Sequence, residues 1–273
     1  MNDFCSGEKF SKLCDVSIYS KKYLDTFKNI KENTNKIIFA GSDITPDILH
    51  IIKTSKTFFV KSEHILYFST IILPHIKKPF ILVSHNSDKI VGNNNKILHN
   101  PYLIKWFGQN MTPHQKTIGI PIGLENSQYK GSNYQILIKY KNNPKTKLLY
   151  LNFSLKTNHR RKNTLKIFLK NNFTKNEKLP WEEYINELSK HKFAVCPLGN
   201  GPDTHRLWEC IYLGVIPIVE KTPFLYPHFK DLPILFIDKY QNITHHFLEN
   251  YKLKNYSLKK STLSFWSEIF NCF

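Results

Sequence analysis

Residues 193–219 read FAVCPLGNGPDTHRLWECIYLGVIPIV, and this stretch decides the fold. Phe193 to Cys196 is a short apolar run without alternation, as expected of a strand buried on both faces. The next six residues, Pro197 to Pro202, are too rich in Gly and Pro to be regular, and their glycines allow the backbone close to a ligand. Asp203 is placed to cap a helix over Thr204–Leu213, which Gly214 ends, and Val215–Val219 returns as a strand. Ligands of open α/β sheets bind in such strand-to-helix crevices, and helix N-termini favour phosphate. His205 and Glu209 are four apart and Arg206 and Glu209 three apart, so these side chains are neighbours on the helix. Arg206 can therefore reach a pyrophosphate, and Glu209 can accept from two ribose hydroxyls, worth roughly 1.5–3 kcal/mol. The run is also compatible with a plain packing unit, in which the glycines are turn and stop residues and Glu209 pairs with a lysine.

Working outward, the same alternation continues on both sides. Short apolar runs at 36–40, 57–60, 79–83 and 118–126 read as strands, with helices over 46–54 and 100–108 between them. The polar, turn-rich segment Tyr140–Lys147 is the expected linker. Beyond it come a strand at 148–153, helices over 163–171 and 181–189, the run already described, and a strand at 234–237. Alternating β and α elements predict an α/β fold with mostly parallel sheets. Two such series around a linker predict two facing Rossmann-like domains, 1–140 and 141–273, with a last helix near 261–270 crossing back over either one. Residues 1–34 are polar and weakly patterned.

Composition narrows the class. The chain of 273 residues is 41% hydrophobic and 14% aromatic, which excludes a disordered protein. Its net charge of +18 fits a lysine-rich solvated surface or attraction to polyanions such as nucleotide diphosphates, nucleic acid or an anionic membrane. Of 39 basic residues only Arg160, Arg161 and Arg206 are arginines, and all three fall beside the motifs discussed here. A chain that uses lysine nearly everywhere, as an AT-rich and viral-type genome would, reserves the planar guanidinium fork for paired contacts. The five cysteines have no metal-ligand spacing and read as free thiols in a reducing compartment. The opening residues lack an apolar run of signal-peptide length, and no stretch of about 18 apolar residues occurs. A soluble, cytoplasmic protein is expected, with no transmembrane segment and room for peripheral membrane association. The dispersed lysines carry no nucleic-acid-binding signature, so nucleic acid is not expected as a partner.

The run GNGPDTHRLWECIYLGVIPIV resembles the nucleotide-sugar-binding half of exostosin-like glycosyltransferases, meaning glycosyltransferase family 47 and its small viral and bacterial relatives. It carries that family's Gly-x-Gly, His-Arg pair, Trp-Glu and Leu-Gly-x-x-Pro-Ile over about 27 residues, with weaker similarity over 148–161 and 81–126. Glu209 also looks like the second glutamate of the E-x7-E element of retaining two-domain transferases, but Asn200-Gly201 stands where the first would be. The resemblance implies an inverting, metal-independent transferase of GT-B type that moves a sugar from a UDP-sugar to a glycan or oligosaccharide hydroxyl. Xylose is weakly preferred among the donor sugars of the relatives. The implied donor-binding residues are Gly199, Asn200, Gly201, Asp203, Thr204, His205, Arg206 and Glu209, with Asn152, Ser154, Arg160 and Arg161 from the donor-rich loop after the strand at 148–153.

An inverting transferase needs a base to take the acceptor's proton. Asp88 is the first candidate, then Glu125, then His85, from Ser84–Asp88 and Pro121–Asn126; each would otherwise be a cap or turn residue. No Asp-x-Asp occurs, and helix N-termini with Arg and Lys can neutralise a leaving diphosphate, so no metal is expected. Two alternatives stand beside this reading: an inactive carbohydrate- or nucleotide-binding module, and a basic nucleic-acid-binding protein.

Overall fold

A computed structural model describes residues 3–26 and 36–273. Two parallel sheets organise the chain, the strands of the first ending at Gly119 and those of the second beginning at Lys147. The first opens after helix α1 (Gly7–Lys12) and contains β1 (Val16–Tyr19), β2 (Ile37–Phe39), β3 (Thr57–Lys61), β4 (Phe80–His85), β5 (Leu103–Gly108) and β6 (Thr117–Gly119), with helix α2 (Pro46–Thr54) between β2 and β3. Its order is β2-β1-β3-β4-β5-β6, every pair parallel. The order reverses between β1 and β3, so their carboxyl ends frame a natural crevice.

The second series begins with α3 (Tyr134–Tyr140) and runs through β7 (Lys147–Tyr150), α4 (Arg160–Lys170), α5 (Trp181–Ser189), β8 (His191–Val195), α6 (His205–Tyr212), β9 (Ile216–Glu220) and β10 (Leu235–Ile237). Its four strands follow chain order, β10-β9-β8-β7, again all parallel. The α/β class with mostly parallel sheets is therefore as expected. A last helix, α7, covers Leu263–Asn271.

Side-chain alternation along the strands feeds a core on each face of the first sheet. Phe58, Val60, Phe80, Leu82 and Trp106 pack with Ile52 of α2 on one face. Phe59, Ile81, Val83 and Phe107 pack on the other with Phe10 of α1 and with Trp266 and Phe270 of α7. The final helix thus crosses back to the first sheet. The other terminus does the reverse: Phe4 joins the core of α3, α5 and α6, and the Tyr212 hydroxyl accepts from Cys5 N at 2.9 Å and donates to Ser261 O at 2.7 Å.

Two expectations are corrected. The segment 100–108 is not a helix; Leu103–Gly108 is β5, deep in the sheet between β4 and β6. Its Trp106 and Phe107 face opposite cores while Lys105 reaches out to Gln115 O at 2.8 Å, a period of two that the short run hid. The weakly patterned N-terminus supplies β1, whose four residues are all buried and sit between β2 and β3. Ser17 interrupts the apolar run, and its hydroxyl is satisfied by Ser11 Oγ at 3.1 Å. The expected strand at 118–126 is cut to β6, and the rest is a loop.

Among the described residues no helix is long and apolar enough to cross a membrane. All five cysteines are free thiols.

Trp266 is 2% exposed and meets Phe10 and Phe107 edge-on, so it anchors α7 to the sheet. Replacing Trp266 with Ala should cost about 3–5 kcal/mol, read as a fall in the urea midpoint at unchanged slope.

Candidate functional site

The carboxyl ends of β7 and β8, with the start of α6, enclose a cavity of about 220 Å³ lined by Ser154, Arg161, Tyr184, Thr204, Arg206 and Glu209, among others. Helix α6 starts one residue later than expected. Thr204 has the extended N-cap backbone but no side-chain cap bond, and Asp203 lies outside the helix. At the other end Gly214, at φ 67°, closes the helix, with Val215 N bonding Cys210 O at 2.9 Å.

Inside this cavity the expected pair is joined by a residue the sequence did not single out. Arg206 Nε donates to the Tyr184 hydroxyl at 3.0 Å, and that hydroxyl donates to Glu209 Oε2 at 2.6 Å. Arg206 Nη1 also grips Asn152 O. Tyr184 is a buried phenol whose pKa burial pushes well above its ordinary value, with nearby Arg206 pulling the other way, so it remains a donor at neutral pH. Among the described residues, no hydrogen bond engages Arg206 Nη2 or Glu209 Oε1.

Arg161 is spent on the chain itself. Its Nε donates to Leu198 O at 2.7 Å, Nη1 to Ser154 O at 3.0 Å and Nη2 to Pro197 O at 3.0 Å, so it shapes the Gly-rich loop. Arg160 is exposed and lines a different cavity, with Gly199, Gly201 and Lys221. Asn152 lines neither of the two cavities described here; its amide donates to Glu177 O at 2.6 Å.

A larger cavity of about 630 Å³ lies at the carboxyl ends of β3 and β4, beside the reversal in strand order. It gathers Asp88, Glu125, His85 and Asn126 with Asn200 and His205 from the second series, and with Tyr23, Lys61, Glu63 and Gln109, which the sequence reading did not name as site residues. Lys61 ends β3 and Glu63 comes just after it, as Ser84–Asp88 spans the end of β4, so the same strand-end position marks both. Burial alone would raise the Glu63 pKa; the hydrogen bond and charge of Lys61 outweigh it and hold it below the usual carboxylate value.

His85 is buried and both ring nitrogens are engaged. Asn86 N donates to Nδ1 at 2.7 Å, which places the proton on Nε2, 2.8 Å from Pro121 O. Burial drops its pKa to about 4. This ring positions the loop at Pro121 and has no free lone pair for a substrate. Asp88 stands exposed at the rim, and Glu125 Oε2 accepts from Gly131 N at 3.1 Å.

Asp203 lines neither cavity. Its buried carboxylate accepts from Ile122 N at 2.7 Å, Thr204 N at 2.8 Å and the Trp208 indole at 2.9 Å, and its own N–H donates to Asn110 Oδ1 at 2.9 Å. It is a strut between the two series. Beside it, a Cβ on Gly201 would lie 2.7 Å from Asn110 Nδ2 and 2.9 Å from Asp88 O, so only glycine fits that contact. Burial raises the Asp203 pKa to about 6, against the donors that lower it.

Among the described residues, no group of three or more His, Cys, Asp or Glu is placed to hold a metal ion. No protein-family model matches the chain, and no curated protein matches it either.

His85 and Asp203 act oppositely on stability. Between pH 6.5 and about 4 the unfolded His85 binds a proton that the folded one refuses, so its contribution is lost as pH falls through that window. Between pH 3.8 and about 6 the folded Asp203 keeps a proton that the unfolded one has released, so stability falls as pH rises there. Each effect is on the order of 3 kcal/mol. Relative to wild type, His85→Gln should gain stability from pH 6.5 to 4, and Asp203→Asn should gain it from pH 4 to 6. Urea titrations across that range check both signs.

Proposed function

We propose that the chain is a glycosyltransferase that holds the diphosphate and ribose of a UDP-sugar in the smaller cavity and the acceptor hydroxyl in the larger one. In this reading the two parallel-sheet series are the facing Rossmann-like domains of a GT-B enzyme, about 1–140 and 141–273. The observation that carries it is the Arg206–Tyr184–Glu209 chain at the opening turns of α6. One open guanidinium nitrogen suits a phosphate oxygen, and one open carboxylate oxygen, a turn further along, suits ribose hydroxyls. The hydroxyl between them holds both charges in register without letting them collapse into a direct ion pair. The uncapped N-terminus of α6 adds backbone donors on the phosphate side.

The reaction would be a displacement at the anomeric carbon. The acceptor oxygen attacks, the bond to the diphosphate breaks, and UDP leaves with the electron pair against Arg206 and the helix terminus. Thr204 and Ser154 border the same cavity, while Arg161 keeps the loop at 197–201 in shape. Asn152 contributes through its carbonyl, which orients Arg206. Inversion, a preference for xylose and a glycan acceptor follow the resemblance of residues 193–219. Since Arg206 and the N-terminus of α6 face the diphosphate in this reading, the reaction is expected to need no metal.

Arg206→Ala and Glu209→Ala should each weaken UDP binding by roughly 10- to 100-fold, about 1.5–3 kcal/mol. Tyr184→Phe, which removes only the bridging hydroxyl, should cost about 10-fold. Isothermal titration with UDP measures all three; wild-type protein that takes up no UDP, or variants that bind it fully, would sink the assignment. Turnover of a UDP-sugar should persist in EDTA, and its loss with recovery on Mn²⁺ would overturn metal independence.

A further inference from the structure

Consecutive residues at the start of α6 serve different cavities: Thr204 and Arg206 line the smaller one and His205 the larger. His205 therefore stands at the wall between them. A sugar whose diphosphate is held at Arg206 must present its anomeric carbon across that wall to meet an acceptor in the larger cavity. The imidazole is aimed by one bond, from Nδ1 to Gly123 O at 2.8 Å. A carbonyl only accepts, so the proton is on Nδ1 and Nε2 carries a bare lone pair. Among the described residues no hydrogen bond engages that Nε2.

The aiming carbonyl is itself fixed. Gly123 has φ 68°, and a side chain there would strike the Cys5 carbonyl, which accepts from Leu124 N at 2.8 Å. The other candidates in the cavity are less well placed. Both nitrogens of His85 are occupied, one oxygen of Glu125 is held by Gly131 N, and Asp88 is at the exposed rim. Gln109 lines the same cavity with its Oε1 buried and without a donor, as a site awaiting a hydroxyl would have.

We infer that His205 is the general base, its Nε2 taking the proton from the acceptor hydroxyl or from water at the junction of the two cavities; this rests on the nucleotide assignment above. The O–H proton passes to Nε2, the oxygen forms the new bond to the anomeric carbon, and the carbon–phosphate-oxygen bond breaks with its electron pair leaving on UDP. The imidazolium then releases its proton to solvent.

The test is acceptor-free hydrolysis, in which water takes the acceptor's place. UDP-xylose, UDP-galactose, UDP-glucuronic acid and UDP-N-acetylglucosamine are each incubated with the full chain, and free UDP is measured. His205→Asn keeps an N–H for Gly123 O and removes Nε2. It should bind UDP within about 3-fold of wild type and hydrolyse the favoured donor roughly 10²- to 10⁴-fold more slowly. His205→Gln serves if the Asn variant does not fold. Asp88→Asn and Glu125→Gln, at the other carboxylates of the cavity, should each lose far less rate than the His205 variants. Hydrolysis unimpaired in the His205 variants, or lost instead in Asp88→Asn or Glu125→Gln, overturns the assignment alone. So does wild-type protein that binds UDP but hydrolyses none of the four. Wild-type protein that binds no UDP fails the nucleotide reading itself.

Discussion

The structure depends on one buried carboxylate. Asp203 stands where the Gly-rich loop turns into α6, and its oxygens collect N–H groups from Ile122, Thr204 and Trp208. Each donor belongs to a different part of the molecule: the loop after β6, the helix start, and the helix's own buried face. Removing the carboxylate would orphan three donors at once, two of them, Ile122 N and the Trp208 indole, buried and each costing about 1–3 kcal/mol if left unmet. Around this point the contacts are close. Asn110 takes up the Asp203 N–H, Gly201 leaves room for Asp88 and Asn110, and His205 reaches Gly123. The loop that borders both cavities is thus held from the first sheet's side as firmly as from its own.

The chain's use of arginine follows from the same economy of donors. A lysine offers one flexible point charge; Lys260, for instance, meets His228 O and Asp231 through a single nitrogen. Arg161 instead binds three carbonyls in fixed directions, and Arg206 joins a phenol and a carbonyl while leaving one nitrogen open. Such geometry needs the planar fork. The buried Arg161 and the half-buried Arg206 both border the smaller cavity, and the third, Arg160, is exposed. Scarcity of arginine therefore marked a site, although Arg161 spends its fork on the loop and not on a ligand-facing edge.

Legibility in the sequence followed the physical signal each element carries. Trp181–Ser189 was readable to the residue because a proline, two acids in the first turn and an amphipathic face agree. Gly214 marked the end of α6 because only a left-handed residue closes it. β1 and β5 were not readable: VSIY and LIKWFG are short, carry a serine or lysine, and owe their strand state to neighbours on both sides. At the site, Arg206 and Glu209 were found from their spacing, but Tyr184, which joins them, comes from a helix whose sequence says only that this face is buried. Asp203 was misplaced by one position. A carboxylate just before a helix looks like a cap, and nothing local reveals that Ile122 N and Trp208 compete for it.

The orientation of α6 has a consequence for chemistry. Successive residues of an α-helix point about 100° apart, so the rotation of α6 about its own axis decides which side chains face which cavity. As α6 is packed, Arg206 and Glu209 fall on the side of the smaller cavity and His205 on the side of the larger. A turn of the helix by one residue position would carry the guanidinium away from Tyr184. The register is set by Asp203 pinning Thr204 N and Trp208 from outside the helix, and by Gly214 stopping it at the far end. A buried carboxylate that touches neither cavity thus governs what both of them contain.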